Sequence, residues 1–187
     1  TAGGADGETL AQMRQALNVG GIEEDALKKE NLKIIRGLKK EDQKVILSIA
    51  NSIWLRESME FKKKFKSDTR KYFLAEVFPI TTVDRINSWV SDETRGKITR
   101  IINSISRDDI AYLINAIYFK GTWKKEFDPK KTVKKDFHAS GGTVRSVDMM
   151  KRKDSFPYLE GEGFKGVVLP YTDEKTVMVL LLPDEDS

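Results

Sequence analysis

The chain has 187 residues, of which 39% are hydrophobic and 33% charged, and its net charge of +4 is a mild basic excess rather than a nucleic-acid signature. This length and composition fit one domain with a buried core, and no apolar run is long enough to span a bilayer. Cysteine is absent, which excludes disulfides, thiolate metal sites and a cysteine nucleophile.

The first third of the chain predicts two helices. The stretches are DGETLAQMRQALNVGG, which ends in the stop signal Asn18 to Gly21, and EEDALKKENLKIIRGLKKED, which has acidic residues in its first turn. Apolar residues at helical spacing place Leu10, Met13 and Leu17 on one face of the first helix. In the second helix the same spacing predicts that Leu27, Ile34 and Leu38 face inward.

The next stretch, KVILSIANSIWL, alternates with period two and predicts a strand. Its bulky side chains face one way, whereas Ser48, Ala50 and Ser52 form a small face on the other side. A strand with one small face favours a helix lying close against that face.

Two more helices follow. SMEFKKKFKSDTRKYFLAEVF reads as an amphipathic helix running into a short strand that Pro79 closes. TTVDRINSWVSDETRGKI has Thr and Asp residues that could cap a helix and Gly96 as its stop, with Ile86, Trp89 and Val90 on one side.

The rest of the chain is predicted to be β-rich. A strand covers roughly 110–119, and the later strands include FKGVVLPY and KTVMVLLLPD, which flank TDE and should pair as a hairpin. VMVLLL is apolar on both faces, so it is expected inside a large sheet. The fold class is therefore α+β, with several helices before a predominantly antiparallel sheet system.

Catalytic chemistry has little support in the sequence. The single histidine, His138, lies in DFHAS, where a surface strand residue is the preferred interpretation, and no histidine spacing indicates a metal site. GEGFKGVV matches the glycine-rich phosphate loop of protein kinases, but the strand lysine and the catalytic-loop motifs of kinases are missing. A glycine-rich β-turn is preferred, and no cofactor, metal or catalytic residue is predicted.

The second predicted helix carries a basic stripe. Lys29, Lys33, Arg36 and Lys40 fall at i, i+4, i+7 and i+11, which places them on one helix face. Such a stripe could bind a polyanion by counterion release, or it could be a solvated face interspersed with glutamates.

The run LINAIYFKGTWKKEFDP closely resembles the most recognisable stretch of the serpins, the serine-protease-inhibitor family. ADGETLAQMRQAL, SIANSIWLRES, INSWVSDETRGKI, DFHASGGTVRSVDMMKR, FKGVVLPY and VMVLLLPD also resemble serpin segments, in serpin order along essentially the whole chain. The resemblance implies the serpin fold of three β-sheets with surrounding helices. The basic-striped helix would be helix D, and INSWVSDETRGKI would be helix F, lying across the main sheet.

The resemblance also implies functional residues. Asn115 matches the shutter asparagine on the third strand of the main sheet, and Trp123 matches the tryptophan of the breach at the top of that sheet. A buried amide must be hydrogen-bonded, and beneath a sheet that opens it can exchange partners between two states. Two other interpretations stay open: Asn115 as a static core amide, and Trp123 as an ordinary packing residue.

By resemblance, 1–187 is a partial serpin domain, from the helix C and D region through the central strands of sheet B. The N-terminal helices, the reactive-centre bond and the C-terminal segments are expected outside it, supplied in cis or by a separate chain. The complete protein is expected to be a suicide-substrate inhibitor of serine proteases rather than an enzyme, with an extracellular or cell-surface location. The alternatives are a non-inhibitory serpin acting as carrier or chaperone and, remotely, a kinase-like nucleotide-binding fragment. High charge without cysteine also favours a heat-adapted source.

Overall fold

The computed structural model describes residues 2–41 and 44–184. Its helices are α1 (Gly7–Ala16), α2 (Glu24–Leu38), α3 (Lys63–Phe73) and α4 (Val83–Glu93). Its strands are β1 (Lys40–Glu41), β2 (Val45–Leu55), β3 (Ala75–Pro79), β4 (Ala111–Gly121), β5 (Val133–His138), β6 (Val144–Met149), β7 (Tyr158–Gly161), β8 (Phe164–Pro170) and β9 (Val177–Pro183). The chain divides into two compact units, one of Thr1–Glu41 with Ile46–Phe119, the other of Asp42–Val45 with Lys120–Ser187.

The helices α1 and α2 form where the sequence predicts them, but the buried face of α2 differs from the prediction. Leu17 lies one residue beyond the end of α1 and is exposed. On α2, Ile34 and Leu38 are exposed, whereas Lys28 and Ile35 are buried. The prediction that Ile34 and Leu38 face inward is therefore wrong. The reason on α2 is an ion pair from Lys28 to α3, which turns the 28/35 face inward.

The first unit contains a four-stranded sheet centred on β2. This strand pairs antiparallel with β1 and parallel with β3, where Asn51 lies opposite Ala75 and Leu55 opposite Pro79, and β4 also pairs with β2. Parallel neighbours require a crossover connection, and α3 supplies it between β2 and β3. The alternation of apolar and small side chains along β2 does not predict this parallel pairing, because side chains alternate between the two faces in parallel and antiparallel strands alike.

Helix α4 packs on one face of this sheet. Trp54 of β2 and Ile114 of β4 form a buried cluster with Ile86 and Val90 of α4. The indole N–H of Trp54 donates to the hydroxyl of the buried Ser52 at 2.9 Å, so both of these polar groups are paired. Burying each aliphatic side chain contributes about 1.5–3 kcal/mol. The prediction that a helix lies against the small face of β2 is confirmed.

The caps of α4 also follow the sequence. The hydroxyl of Thr82 accepts a hydrogen bond from the backbone N–H of Arg85 at 3.3 Å, and Gly96 adopts a φ of +76° just beyond the helix. Arg95, the residue directly after the C-cap, is left-handed as well, with a φ of +51°, and the N–H of Gly96 donates to the carbonyl of Ser91, so Arg95 and Gly96 together end the helix.

Helix α3 packs on the opposite face of the sheet. Ile53 and Leu55 are buried there, beside Phe65 of α3. The helix ends at Leu74, whose φ of +49° is left-handed, and β3 begins at the next residue. Within this unit the sheet therefore has helices on both faces.

The second unit contains two antiparallel sheets. β5 and β6 form a hairpin in which Val133 lies opposite Met149, and β8 pairs with β7 on one side and β9 on the other. Gly166 in β8 allows a close approach, because a Cβ there would lie 2.9 Å from the side chain of Leu181. The three sheets of the described chain and the β8–β9 hairpin agree with the prediction from sequence.

Strand β9 contradicts the prediction that VMVLLL lies inside a large sheet. In the described chain β9 is the edge of a three-stranded sheet, and its residues from Val177 to Pro183 are all exposed, with Leu182 at 70%. The prediction is wrong for this chain because no described strand pairs with the outer edge of β9.

Candidate functional site

Strand β4 has one open edge and one face with exposed apolar side chains. Among the described strands it pairs only with β2, so the backbone groups of its other edge have no strand partner there. Leu113, Ile117 and Phe119 are exposed on one face, with Ile117 at 56%, whereas Ile114 and Ala116 are buried on the other. An open edge beside an apolar face can accept a further strand.

Asn115 lies in the exposed row of β4. Its Nδ2 donates to Oδ1 of Asn51 at 2.8 Å and to the carbonyl of Ala50 at 3.5 Å, both on β2. The sequence predicts a buried amide at this position, and that part of the prediction is wrong for this chain, because the side chain of Asn115 is exposed. Its shutter role stays a prediction.

Asn51 is the partner that the sequence analysis missed. Its own Nδ2 donates to the backbone carbonyl of Phe73 at 2.9 Å, so hydrogen bonds run from β4 through β2 to the end of α3. The signal available in the sequence was Asn51 itself, an amide that stands between Ile49 and Ile53 in the row of β2 that is otherwise apolar. Two facing amides can exchange donors and acceptors without losing all their hydrogen bonds.

Trp123 lies two residues beyond the end of β4 and belongs to an aromatic cluster in the second unit. It stacks on Tyr171 with ring centroids 4.5 Å apart, and Phe127 meets it edge to face at 6.1 Å. Backbone pairing continues alongside, since the N–H of Lys124 donates to the carbonyl of Pro170 at 2.9 Å. Tyr171 is only 3% exposed, and burial raises the pKa of its phenol. The breach role of Trp123 stays a prediction.

Arg152 extends the aromatic cluster, although no sequence pattern singles it out. Its guanidinium lies over the rings of Phe127 and Phe156, at 5.0 and 4.7 Å from their centroids, and also donates to the backbone carbonyl of Lys125. Cation–π contacts of this kind contribute about 0.5–2 kcal/mol. Arg152 therefore helps fix the position of Phe127, whose ring meets Trp123 edge to face.

The basic stripe of α2 is only partly described. Lys29, Lys33 and Arg36 are exposed on the helix, as predicted, and Lys33 lies 3.5 Å from the carboxylate of Glu30. Lys40 falls in β1 rather than α2, and its side chain lies outside the described part of the structure. Lys40 thus does not extend the helical stripe. Polyanion binding by these residues stays a prediction.

Lys28 is a buried charge that the sequence analysis also missed. Its side chain is 4% exposed, and its ammonium pairs with Asp68 of α3 at 2.8 Å and with Glu24. Asp68, 17% exposed, pairs with Lys64 as well, at 2.5 Å. Burial opposes the charge of Lys28, but hydrogen bonds to Asp68 and Glu24 raise its pKa above the ordinary lysine value. Hydrogen bonds from Lys28 and Lys64 lower the pKa of Asp68.

The other chemical candidates have the structural roles that the sequence favours. His138 is exposed in β5, and GEGFKGVV forms the β7–β8 hairpin, with Gly163 at a φ of +79° in its turn. The strand β8 follows this turn, so the loop does not open a helix. In the described part of the chain, no group of three or more histidine or acidic side chains could hold a metal ion, and no helix is both long and apolar enough to cross a membrane.

The family comparison matches the whole chain. The model described as Serpin (serine protease inhibitor) covers residues 1–187. An uncharacterized serpin-like protein of Methanosarcina acetivorans is 31% identical over 98% of this chain and 45% of its own length. The plasma serine protease inhibitor of Bos taurus is 30% identical over 95% of this chain and 46% of its own length.

Solved structures agree with this result. Tengpin, a thermophilic serpin, matches in its native state with 35% identity and a TM-score of 0.89, and in its latent state with 34% identity and a TM-score of 0.87. Both matches cover 100% of this chain, and 49% and 51% of the two tengpin chains. The chain spans about half the length of the relatives it matches.

Proposed function

This chain belongs to the serpin family, and from that premise we propose that the protein it forms part of is a suicide-substrate inhibitor of serine proteases. In this reaction the protease serine attacks the carbonyl of a reactive-loop residue, the peptide bond breaks, and a new amino terminus leaves. The loop then inserts into the main sheet as a strand before water can hydrolyse the ester. The protease remains attached as a distorted acyl-enzyme.

The open edge of β4 is the observation that carries the proposal. This edge has no strand partner in the described chain, and Leu113 and Ile117 leave an apolar surface beside it. A strand arriving at this edge would satisfy backbone hydrogen bonds and cover apolar side chains at the same time. In this reaction the present chain contributes the sheet into which the cleaved loop inserts, and the cleaved bond belongs to another part of the protein.

The amide pair Asn115–Asn51 is proposed to act as the shutter. It joins β4 to β2 at 2.8 Å and lies in the row that a new strand would approach. An amide has both donors and an acceptor, so this pair can rearrange when β4 gains a neighbour. Trp123 is proposed to act at the breach, since a half-exposed ring stacked on a buried tyrosine can repack without losing all its contacts.

The two states of tengpin support a fixed role for this part of the fold. Its native and latent forms match the chain almost equally well, at TM-scores of 0.89 and 0.87. We infer that this chain supplies a framework common to both states of a serpin, within which local groups such as Asn115 exchange partners.

The test uses the full-length protein and a panel of trypsin-, chymotrypsin- and elastase-like proteases. Inhibition predicts, for at least one protease, a complex that survives boiling in detergent. It also predicts a sharp rise in thermal stability after loop cleavage, because the inserted strand relieves the stored strain. Clean cleavage by every protease, with neither result, would assign the protein to the non-inhibitory carriers or chaperones.

Two further assignments accompany the proposal. We propose an extracellular or cell-surface location, because the chain resembles secreted inhibitors, which act on proteases outside the cell. The exposed cations Lys29, Lys33 and Arg36 are proposed to contribute to polyanion binding. Their removal together with Lys40 should weaken retention on a heparin column, and unchanged retention would leave only a solvated face.

A further inference from the structure

Helix α1 begins with an aspartate whose side chain contacts the next residue of the chain. Asp6 is the N-cap of α1, and its Oδ1 accepts a hydrogen bond from the backbone N–H of Gly7 at 2.8 Å. An N-cap side chain usually accepts from the second or third residue of the helix instead. The carboxyl group of Asp6 therefore lies against the one backbone nitrogen that can close a small ring with its side-chain carbon.

The surroundings of Gly7 leave its nitrogen accessible. Asp6 and Gly7 are both exposed. The first N–H groups of a helix have no carbonyl acceptor one turn earlier, so the N–H of Gly7 has no helical hydrogen bond to lose. Gly7 has a φ of +55°, and a Cβ at this residue would meet no heavy atom within 4 Å. There is therefore room for water and for a ring at this position.

We propose that Asp6–Gly7 is a site of spontaneous backbone modification, at which aspartate converts into isoaspartate through a cyclic imide. The backbone nitrogen of Gly7 attacks Cγ of the protonated Asp6 carboxyl group and gives up its proton, and the hydroxyl group of the carboxyl leaves as water. Water then opens the ring at one of its two carbonyl carbons. Opening at Cγ restores aspartate, whereas opening at the main-chain carbonyl carbon gives isoaspartate, whose peptide bond runs through Cγ. The reaction releases one water and consumes one, and it is independent of protease inhibition.

Proximity in the folded chain favours this reaction. Cγ is one bond away from an oxygen that already lies 2.8 Å from the attacking nitrogen. Holding two reacting groups in contact lowers the barrier, because little conformational freedom remains to be lost. Other aspartates lack these conditions. Asp68 lies inside α3, where the next backbone N–H belongs to the helical hydrogen bonds. Asp128 is followed by Pro129, which has no N–H.

Asp154 provides a matched comparison. Its Oδ1 accepts a hydrogen bond from the backbone N–H of Ser155 at 2.9 Å, the same arrangement as at Asp6. However, the ammonium of Lys125 lies 2.9 Å from Oδ1 and 2.8 Å from Oδ2 of this carboxylate. Hydrogen bonds from Lys125 and Ser155 lower the pKa of Asp154, and an ionised carboxylate has no hydroxyl group to release. The Cβ of Ser155 also crowds the attacking nitrogen, so Asp154 should react more slowly than Asp6.

Isoaspartate would change the start of α1. The conversion adds one methylene group to the main chain and leaves the carboxylate on the former Cα of Asp6. The carboxylate then no longer caps the helix from its present position. The first turn of α1 should therefore open more often and exchange its amide hydrogens faster.

The first test compares the two sites within the folded full-length protein. The protein is incubated at about pH 5, where roughly a tenth of ordinary aspartate carboxyls are protonated, in water labelled with heavy oxygen. Mass spectrometry of the digested protein then separates isoaspartate from aspartate by their fragment ions. Isoaspartate should accumulate at Asp6 at least about tenfold faster than at Asp154, which corresponds to a barrier lower by about 1.4 kcal/mol. Each conversion should incorporate labelled oxygen. Equal rates at the two sites, or isoaspartate without label, would overturn the proposal.

A second arm separates the effect of the fold from that of the local sequence. The same incubation is repeated in urea at a concentration that unfolds the protein. Unfolding should accelerate the reaction at Asp154, which loses Lys125, and should leave the rate at Asp6 unchanged or lower. If unfolding accelerates the reaction at Asp6 as much as at Asp154, the folded chain protects both sites alike and the proposal is wrong.

Asp6→Ser is the control for the consequence at α1. Serine is also a favourable N-cap but has no carboxyl carbon, so this variant should keep α1 and form no isoaspartate at this position. After the incubation, hydrogen exchange in the first turn of α1 should be faster in the parent and unchanged in Asp6→Ser. An equal change in both proteins would show that the modification does not uncap α1.

Discussion

Replacing Asp68 by leucine should destabilise the protein by about 3 kcal/mol, because Lys28 would keep a buried charge without its α3 partner. Removing one member of a buried ion pair typically costs about 3–5 kcal/mol. The lower end applies here, since Lys28 would still pair with Glu24, whose side chain is 53% exposed. Lys28→Met should cost less, about 1–2 kcal/mol, because Asp68 is 17% exposed and retains Lys64.

The double variant should recover most of this loss. With Lys28→Met and Asp68→Leu together, no buried charge is left unpaired, since Glu24 and Lys64, which lose their partners, are 53% and 74% exposed. Stability should therefore lie within about 1 kcal/mol of the parent. Urea unfolding of the full-length protein, followed by circular dichroism, gives the four free energies of the cycle. Lys64→Met is the control, because Lys64 pairs with the same carboxylate of Asp68 but its side chain is 74% exposed. Losing this exposed ion pair should cost less than about 1 kcal/mol. Additive losses, with a coupling energy below about 0.5 kcal/mol, would refute the reasoning.

Three further predictions concern other parts of the fold. Expressed without companion segments, the chain should associate, because the edge of β4 and the face of β9 are uncovered; a monomer in analytical ultracentrifugation that melts cooperatively would contradict this. In the full-length protein, Asn115→Ala should cost about 1 kcal/mol and accelerate polymerisation on warming, since Asn51 loses a donor. Asn103→Ala, at an exposed position, should change neither rate nor stability, and equal behaviour of the two variants would exclude a shutter. Because hydrogen bonds from Lys28 lower the pKa of Asp68 in the folded state, this pair stabilises the protein above about pH 4 and ceases to do so as the pH falls further. The thermal midpoint should therefore fall more steeply between about pH 5 and 3 in the parent than in Asp68→Leu, and parallel pH curves would be the contrary result.

Where the sequence predicted the fold well, the local pattern and the packing agree. The small face of β2 requires a close neighbour, and the apolar side of α4, with Ile86 and Val90, fits it. Thr82 marks the start of α4, and Gly96, with the left-handed Arg95 before it, marks the end, because capping depends on residues next to one another in sequence.

Where the prediction failed, a long-range partner decided the outcome. The hydrophobic pattern of α2 favours Ile34 as an inward residue, but the ion pair from Lys28 to Asp68 turns a different face toward α3. No local pattern could show this, since the partners are 40 residues apart. Asn115 is similar: its hydrogen bond depends on Asn51, which only strand pairing brings near.

The crossover from β2 through α3 to β3 has a consequence for the order in which the sheet forms. Asn51 lies opposite Ala75, only 24 positions along the chain, whereas the hydrogen bond between Asn51 and Asn115 spans 64. By loop-closure entropy alone, the longer connection costs roughly 0.9 kcal/mol more to close. We therefore expect β2, α3 and β3 to assemble first and β4 to dock later, while the chain is still being synthesised or soon afterwards. Until β4 docks, the edge of β2 that β4 will occupy is unpaired. In a nascent chain it is therefore β2 that can pair with another molecule, whereas in the finished sheet it is β4.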